Sequence, residues 1–281
     1  MSWLDKLATP LQNWVSKLYG QPKQASYRVK DALNGVWLGH PLHPALVYIP
    51  LGAWTSSLVL DMAWLSEQED GVAQSSDLLM WTGLVGSAGA AITGMTNWVD
   101  TNGPERRTGI LHALLNGSVA VLNLTSALLR LTGWRRTAIG VSTTAYAVTI
   151  YSAYIGGQLA YSDAIGVNHV AWEHGMDKFV PVMAASDLVP GKLTRVDVAG
   201  ISAVLLKDGN NISAIAATCS HLGGPLDQGH CENGIIYCPW HNSGFHLSDG
   251  SVANSPAVYA QPTFAVRIRN GKIELRRLEH A

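Results

Sequence analysis

Four stretches, about 43–65, 78–99, 108–130 and 137–162, are each about 20 residues or longer, and their middles hold no Asp, Glu, Lys or Arg. At about 1.5 Å rise per residue, each is long enough to cross a hydrocarbon core of about 30 Å as a helix. Lipid offers no partner to backbone amides, so a spanning segment must satisfy them within itself. Four buried helices of a water-soluble protein would each keep a polar face, and these do not. The sequence therefore predicts a four-helix transmembrane bundle over residues 35–167. On the second stretch Gly86, Ala90 and Gly94 recur every four residues, a spacing that lets helix backbones approach closely. Charged residues make up 14 % of the chain, against about 25 % in soluble proteins. The deficit falls in the first 165 residues.

Lys and Arg in the flanks set the expected orientation. Lys6, Lys17, Lys23, Arg28 and Lys30 precede the first span, and Arg106 and Arg107 lie between the second and third. On the opposite side stand the acidic Glu67, Glu69 and Asp70, with Arg130, Arg135 and Arg136 in the other loop. The balance favours both termini inside, in a multi-pass membrane protein. Residues 1–34 read as an amphipathic helix followed by a basic connector. Trp3, Leu4, Leu7, Leu11, Trp14, Val15 and Leu18 share its apolar face. That face suits either the membrane interface or the protein's own surface.

After a linker at 168–176 the texture changes. From 177 to 281 short β-type runs alternate with Asp208-Gly209, Asn233-Gly234, Asp249-Gly250 and Asn270-Gly271, which are hairpin signals. This predicts a small all-β antiparallel sandwich, so the fold class is α + β in separate domains. A net charge of −1 gives no footprint for nucleic acid. Two short motifs fall in the β region, Cys219-Ser220-His221 and Cys238-Pro239-Trp240-His241. Two Cys and two His suit a Rieske [2Fe–2S] centre, with Cys on one iron and His on the other, or a tetrahedral zinc ion. Zinc fingers usually pair Cys with Cys and His with His, whereas each loop here supplies one of each. Cys231 is then left without a partner in the chain, so no disulfide framework is expected and a reducing compartment suits the thiols.

The stretches Cys219 to Leu226 (CSHLGGPL) and Cys238 to Phe245 (CPWHNSGF) resemble the two cluster-binding loops of Rieske ferredoxins. The resemblance implies that Cys219 and Cys238 hold the buried iron and that His221 and His241 hold the outer one. It implies that Ser243 donates a hydrogen bond to the cluster and that Pro256 belongs to a shielding loop. Phe245 stands where the family has a tyrosine donor. Gly224 and Trp240 stand where respiratory members have a disulfide. Residues 35–167, with Gly39-His40-Pro41-Leu42-His43-Pro44 and Gly109-Ile110-Leu111-His112, resemble a four-helix bacterial membrane domain of unknown function. Spans one and three run in the same direction, so His40, His43 and His112 are candidate ligands for haem b or a metal. Their alternative role is to cap helices or sit among headgroups.

The expected function is a membrane-anchored electron carrier that passes single electrons to or from a membrane-held cofactor, a quinone or a protein partner. A haem-containing quinone or ferric reductase and a redox sensor are the alternatives. The carrier reading is preferred to a stand-alone oxidoreductase.

Overall fold

The computed structural model describes residues 3–19, 25–173 and 176–278; Lys23 of the charge count lies outside them. Its helices are α1 Trp3–Tyr19, α2 Ala25–Asn34, α3 Leu42–Glu67, α4 Asp70–Trp98, α5 Gly103–Leu131 and α6 Arg135–Tyr161. The chain forms two compact units. One contains residues 1–19 and 42–165, and the other contains 20–41 and 166–281. By its contacts α2 groups with the β unit and not with the bundle. A polar connector gave no sign of this, because the partners of α2 lie more than 200 residues away.

In the first unit α3 to α6 form the bundle. It is apolar outside and polar inside. Tyr48, Val59, Leu78, Val85, Val121 and Ile150 are exposed, whereas Ser57, Asp61, Ser76, Thr96, Asn123 and Ser126 are buried. An apolar exterior on this scale marks a lipid-facing surface. By length and apolarity α3, α4 and α5 qualify as membrane spans. α6 falls short, because Ser142, Thr143, Thr144, Thr149 and Ser152 place hydroxyls along it. The small-residue stripe of α4 receives α3: Ile49 seats over Gly86 and the His43 ring over Gly94.

Asp61 and Arg130 close one end of the interior. Arg130 forks onto both carboxylate oxygens of Asp61, with Ser76 Oγ donating to Asp61 at 2.7 Å. Asp77 then bridges Arg130 and Arg135, at 2.9 Å each. α1 packs on the same unit through Ala8, Leu4 and Leu11 against Trp98 and Ile110, with polar contacts beside them. Asp5 pairs with Arg106 at 2.8 Å, and Gln12 donates to the Val99 and Thr101 carbonyls. Its Trp3, Leu7, Trp14 and Leu18 stay exposed. α1 thus has a face for the protein and a separate apolar face suited to the interface.

The second unit is built from antiparallel sheets. β1 (Val180–Ala184), β2 (Thr194–Val198), β3 (Ile201–Asp208) and β4 (Asn211–Ala216) come first. They are followed by β5 (His230–Glu232), β6 (Ile235–Tyr237), β7 (Gly244–His246), β8 (Val252–Asn254), β9 (Phe264–Arg269) and β10 (Lys272–Arg277). The sheets run β1-β10-β9, β2-β3-β4 and β5-β6-β7-β8. Asn233-Gly234 and Asn270-Gly271 both take positive φ, as a two-residue hairpin turn of type I′ requires. One core gathers Val204, Ile215, Leu226, Ile236 and Phe245 behind Cys219 and Cys238. A second gathers Val198, Leu205, Ile273 and Leu275.

Candidate iron–sulfur centre

Two six-residue loops carry the Cys and His motifs, and their backbones are hydrogen-bonded in the same way. Cys219 N–H donates to Gly224 O (2.8 Å) and Gly223 N–H to Cys219 O (2.9 Å). Cys238 N–H donates to Ser243 O (2.9 Å) and Asn242 N–H to Cys238 O (3.0 Å). The fifth residue of each loop is left-handed, Gly223 at φ 76° and Asn242 at φ 61°. Glycine and asparagine tolerate that conformation best. The repeated loop therefore presents a Cys at its start and a His two or three residues on.

The two loops meet like to like. The thiols of Cys219 and Cys238 are hydrogen-bonded to each other. The imidazoles of His221 and His241 lie edge to face, with centroids 5.2 Å apart. Thiol beside thiol and imidazole beside imidazole is the pairing of a two-iron group. A single zinc ion would draw all four onto one tetrahedron. No three His, Cys, Asp or Glu side chains among the described residues converge to hold one metal ion.

Protonation suits ligation too. The Cys238 thiol is drawn down to about 7, first by the hydrogen bond from Cys219, with the Trp240 and His241 amides adding to it against burial. The Cys219 thiol is pushed up by donating that bond and by burial, while Ser243 donates towards it. The His221 imidazole is held well below its usual value by burial, then by the charges of His241, Lys30 and His169. A neutral imidazole and an accessible thiolate are the forms that bind metal. These residues fit a [2Fe–2S] cluster.

Other strands brace the loops. Gln261 is fully buried; its Nε2 donates to the carbonyls of Ala216 and Thr218, and its Oε1 accepts from Ser220 N–H at 3.0 Å. Asn254 Nδ2 donates to Asn242 O at 2.7 Å, and Ala257 N–H donates to Ser243 Oγ at 3.1 Å. These contacts tie the Pro256 segment to the second loop. α2 holds the segment from its other side, with Tyr27 Oη donating to Ser255 O (3.0 Å) and Ser255 N–H donating to Asp31 (2.8 Å). His169 N–H donates to Ser220 O at 3.1 Å. Sequence reasoning missed Gln261, Asn254, Tyr27 and Asp31. A buried glutamine between strands was the one cue available for Gln261, and nothing local marked the other three.

His40 belongs to the β unit, where its ring lies edge-on to Tyr259. His43 and His112 belong to the bundle, on α3 and α5.

Loss of the Ser243 hydroxyl is expected to lower the cluster potential. A hydrogen bond to a charged acceptor is worth about 1.5–3 kcal/mol, and a tenfold change in equilibrium is about 59 mV for one electron. Ser243→Ala should therefore shift the midpoint down by several tens of millivolts in a redox titration followed by EPR. An unchanged midpoint would show that the hydroxyl does not address the cluster.

The loops and the sheets behind them are those of a small iron–sulfur domain that carries electrons. Residues 178–265 match the family model described as Rieske [2Fe-2S] domain, and residues 39–169 match Predicted membrane protein (DUF2231). Ferredoxin CarAc of Metapseudomonas resinovorans is 30 % identical over 96 residues, which is 34 % of this chain and 90 % of that ferredoxin. Apoptosis-inducing factor 3 of Mus musculus is 30 % identical over 100 residues; these are 36 % of this chain but span only 16 % of that protein's length. Among solved structures, the ferredoxin of carbazole 1,9a-dioxygenase from Nocardioides aromaticivorans IC177 is 31 % identical. That alignment covers 35 % of this chain and 97 % of that one, with a TM-score of 0.34. The chain belongs to the Rieske [2Fe–2S] ferredoxin family, and its Rieske domain follows a membrane domain. Membership implies a [2Fe–2S] cluster and electron transfer.

Proposed function

We propose that the protein is a membrane-anchored single-electron carrier, with Cys219, Cys238, His221 and His241 as the cluster ligands. The observation that carries this reading is the like-to-like pairing of buried thiols and facing imidazoles. When bound, the cluster accepts and gives up one electron at a time. The chain's own residues shape the site. Ser243 directs a hydroxyl at the Cys219 sulfur, and Phe245, buried without a hydroxyl, supplies only packing. Asn254 and Ala257 hold the Pro256 segment over the second loop, and α2 holds it from outside.

The membrane-held acceptor or donor is a quinone, a protein or a haem within the bundle. Purified full-length protein in detergent should contain iron and acid-labile sulfide, and give a Rieske EPR signal on reduction. Zinc without sulfide would end this reading. The Lys and Arg balance supports a cytoplasmic Rieske domain in the inner membrane. A tag fused after residue 281 should therefore resist protease in intact cells and be cut in inverted vesicles. Cleavage in intact cells would reverse the orientation.

A further inference from the structure

α2 lies outside both matched regions, which begin at residue 39 and at residue 178, yet it packs within the β unit. Its inward positions are polar. Tyr27, Lys30 and Asn34 are buried, whereas Val29 is exposed. With Asp31 they follow the i, i+3, i+4, i+7 spacing of one helix face. Such a face gains little from apolar burial, and each polar group on it costs free energy unless it is paired. Directional hydrogen bonds therefore decide where α2 sits. Two of them end on one residue. Tyr27 Oη donates to Ser255 O at 3.0 Å, and Asp31 Oδ1 accepts from Ser255 N–H at 2.8 Å. Lys30 Nζ lies over the Tyr27 ring, 5.2 Å from its centre, and braces it.

Ser255 is fully buried and carries this grip to the cluster loops. Its carbonyl also accepts from Asn254 Nδ2 at 2.9 Å, the same amide group that reaches Asn242 O at 2.7 Å. Two residues on, Ala257 N–H donates to Ser243 Oγ at 3.1 Å. Ser243 is fully buried too, so no water competes for its hydroxyl. With one lone pair taken by Ala257, the hydroxyl proton points away from that amide and towards the Cys219 sulfur. A hydroxyl rotates to suit its partners unless they fix it. The direction of this one depends on where Ala257 stands, and Ala257 belongs to the segment that α2 holds.

We propose that Tyr27 and Asp31 are positioning residues of the iron–sulfur centre, which hold the Ser243 hydroxyl on the Cys219 sulfur and so keep the reduction potential up. The path runs from α2 to Ser255, from Ser255 to Ala257, and from Ala257 to Ser243. Hydrogen bonds donated to the sulfurs favour the more negative, reduced form of a cluster. When the segment shifts, the hydroxyl turns off the sulfur and the potential falls. This rests on the electron-carrier reading, to which it adds residues outside the Rieske region that set the potential.

The test is a redox titration of full-length protein purified in detergent, followed by the Rieske EPR signal, which also reports that each variant keeps its cluster. Tyr27→Phe and Asp31→Ala should each lower the midpoint, by up to a tenfold change in equilibrium or about 59 mV for one electron. Asp31→Asn keeps an oxygen for Ser255 N–H and loses only the charge, so its midpoint should not fall. Loss of a negative charge by itself raises a cluster potential. In a Ser243→Ala background the hydroxyl is gone, so Tyr27→Phe and Asp31→Ala should add no further shift. Unchanged midpoints in both single variants overturn this inference and leave the carrier reading standing. The same follows from an equal fall in Asp31→Asn and Asp31→Ala, or from equal shifts with and without the Ser243 hydroxyl. A wild type without a Rieske signal overturns the carrier reading instead.

Discussion

Cys238→Ser is expected to yield protein without visible absorption and without a Rieske EPR signal, a complete loss. The Cys238 thiol is the more acidic of the buried pair, and its loss also leaves Cys219 without its hydrogen-bond acceptor. Both cysteines belong to the core formed by Ile215, Leu226, Ile236 and Phe245. Metal binding is part of folding where no site exists in the unfolded chain. The loops from 219 to 224 and from 238 to 243 should therefore become protease-sensitive, while the bundle still enters the membrane. An intact cluster signal in this variant would refute the ligand assignment.

The second large effect is expected at the closed end of the bundle. Asp61 and Arg130 are buried, and Asp61→Ala leaves the guanidinium with only Asp77 as an anionic partner. Removing one partner of a buried pair costs about 3–5 kcal/mol. The variant should unfold at markedly lower denaturant in detergent, read by loss of helical circular dichroism. The exchange Asp61→Arg with Arg130→Asp keeps opposite charges in contact and should recover part of the loss. A double-mutant cycle measures that recovery. No loss in the single variant would mean that the pair is not buried in the folded protein.

What the sequence disclosed follows from how local each signal is. Cys219, His221, Cys238 and His241 were legible because their spacing is short. The loop geometry, with Asn242 left-handed in place of a glycine, was not. The apolar lengths of α3 to α5 could be counted directly, but the partner of Asp61 lies 69 residues away and no periodicity announces it. α2 looked like a polar connector because its contacts with Ser255 are made across more than 200 residues.

A Cβ on Gly224 would lie 2.6 Å from Cys238 Sγ and 3.1 Å from the Trp240 ring. The indole of Trp240 therefore lies over the first loop at the place where respiratory relatives bridge the loops covalently. Contact without a covalent bond has a consequence for assembly. The loops need no oxidant to close, so apoprotein made in a thiol-rich compartment can receive iron and sulfide after its strands have paired.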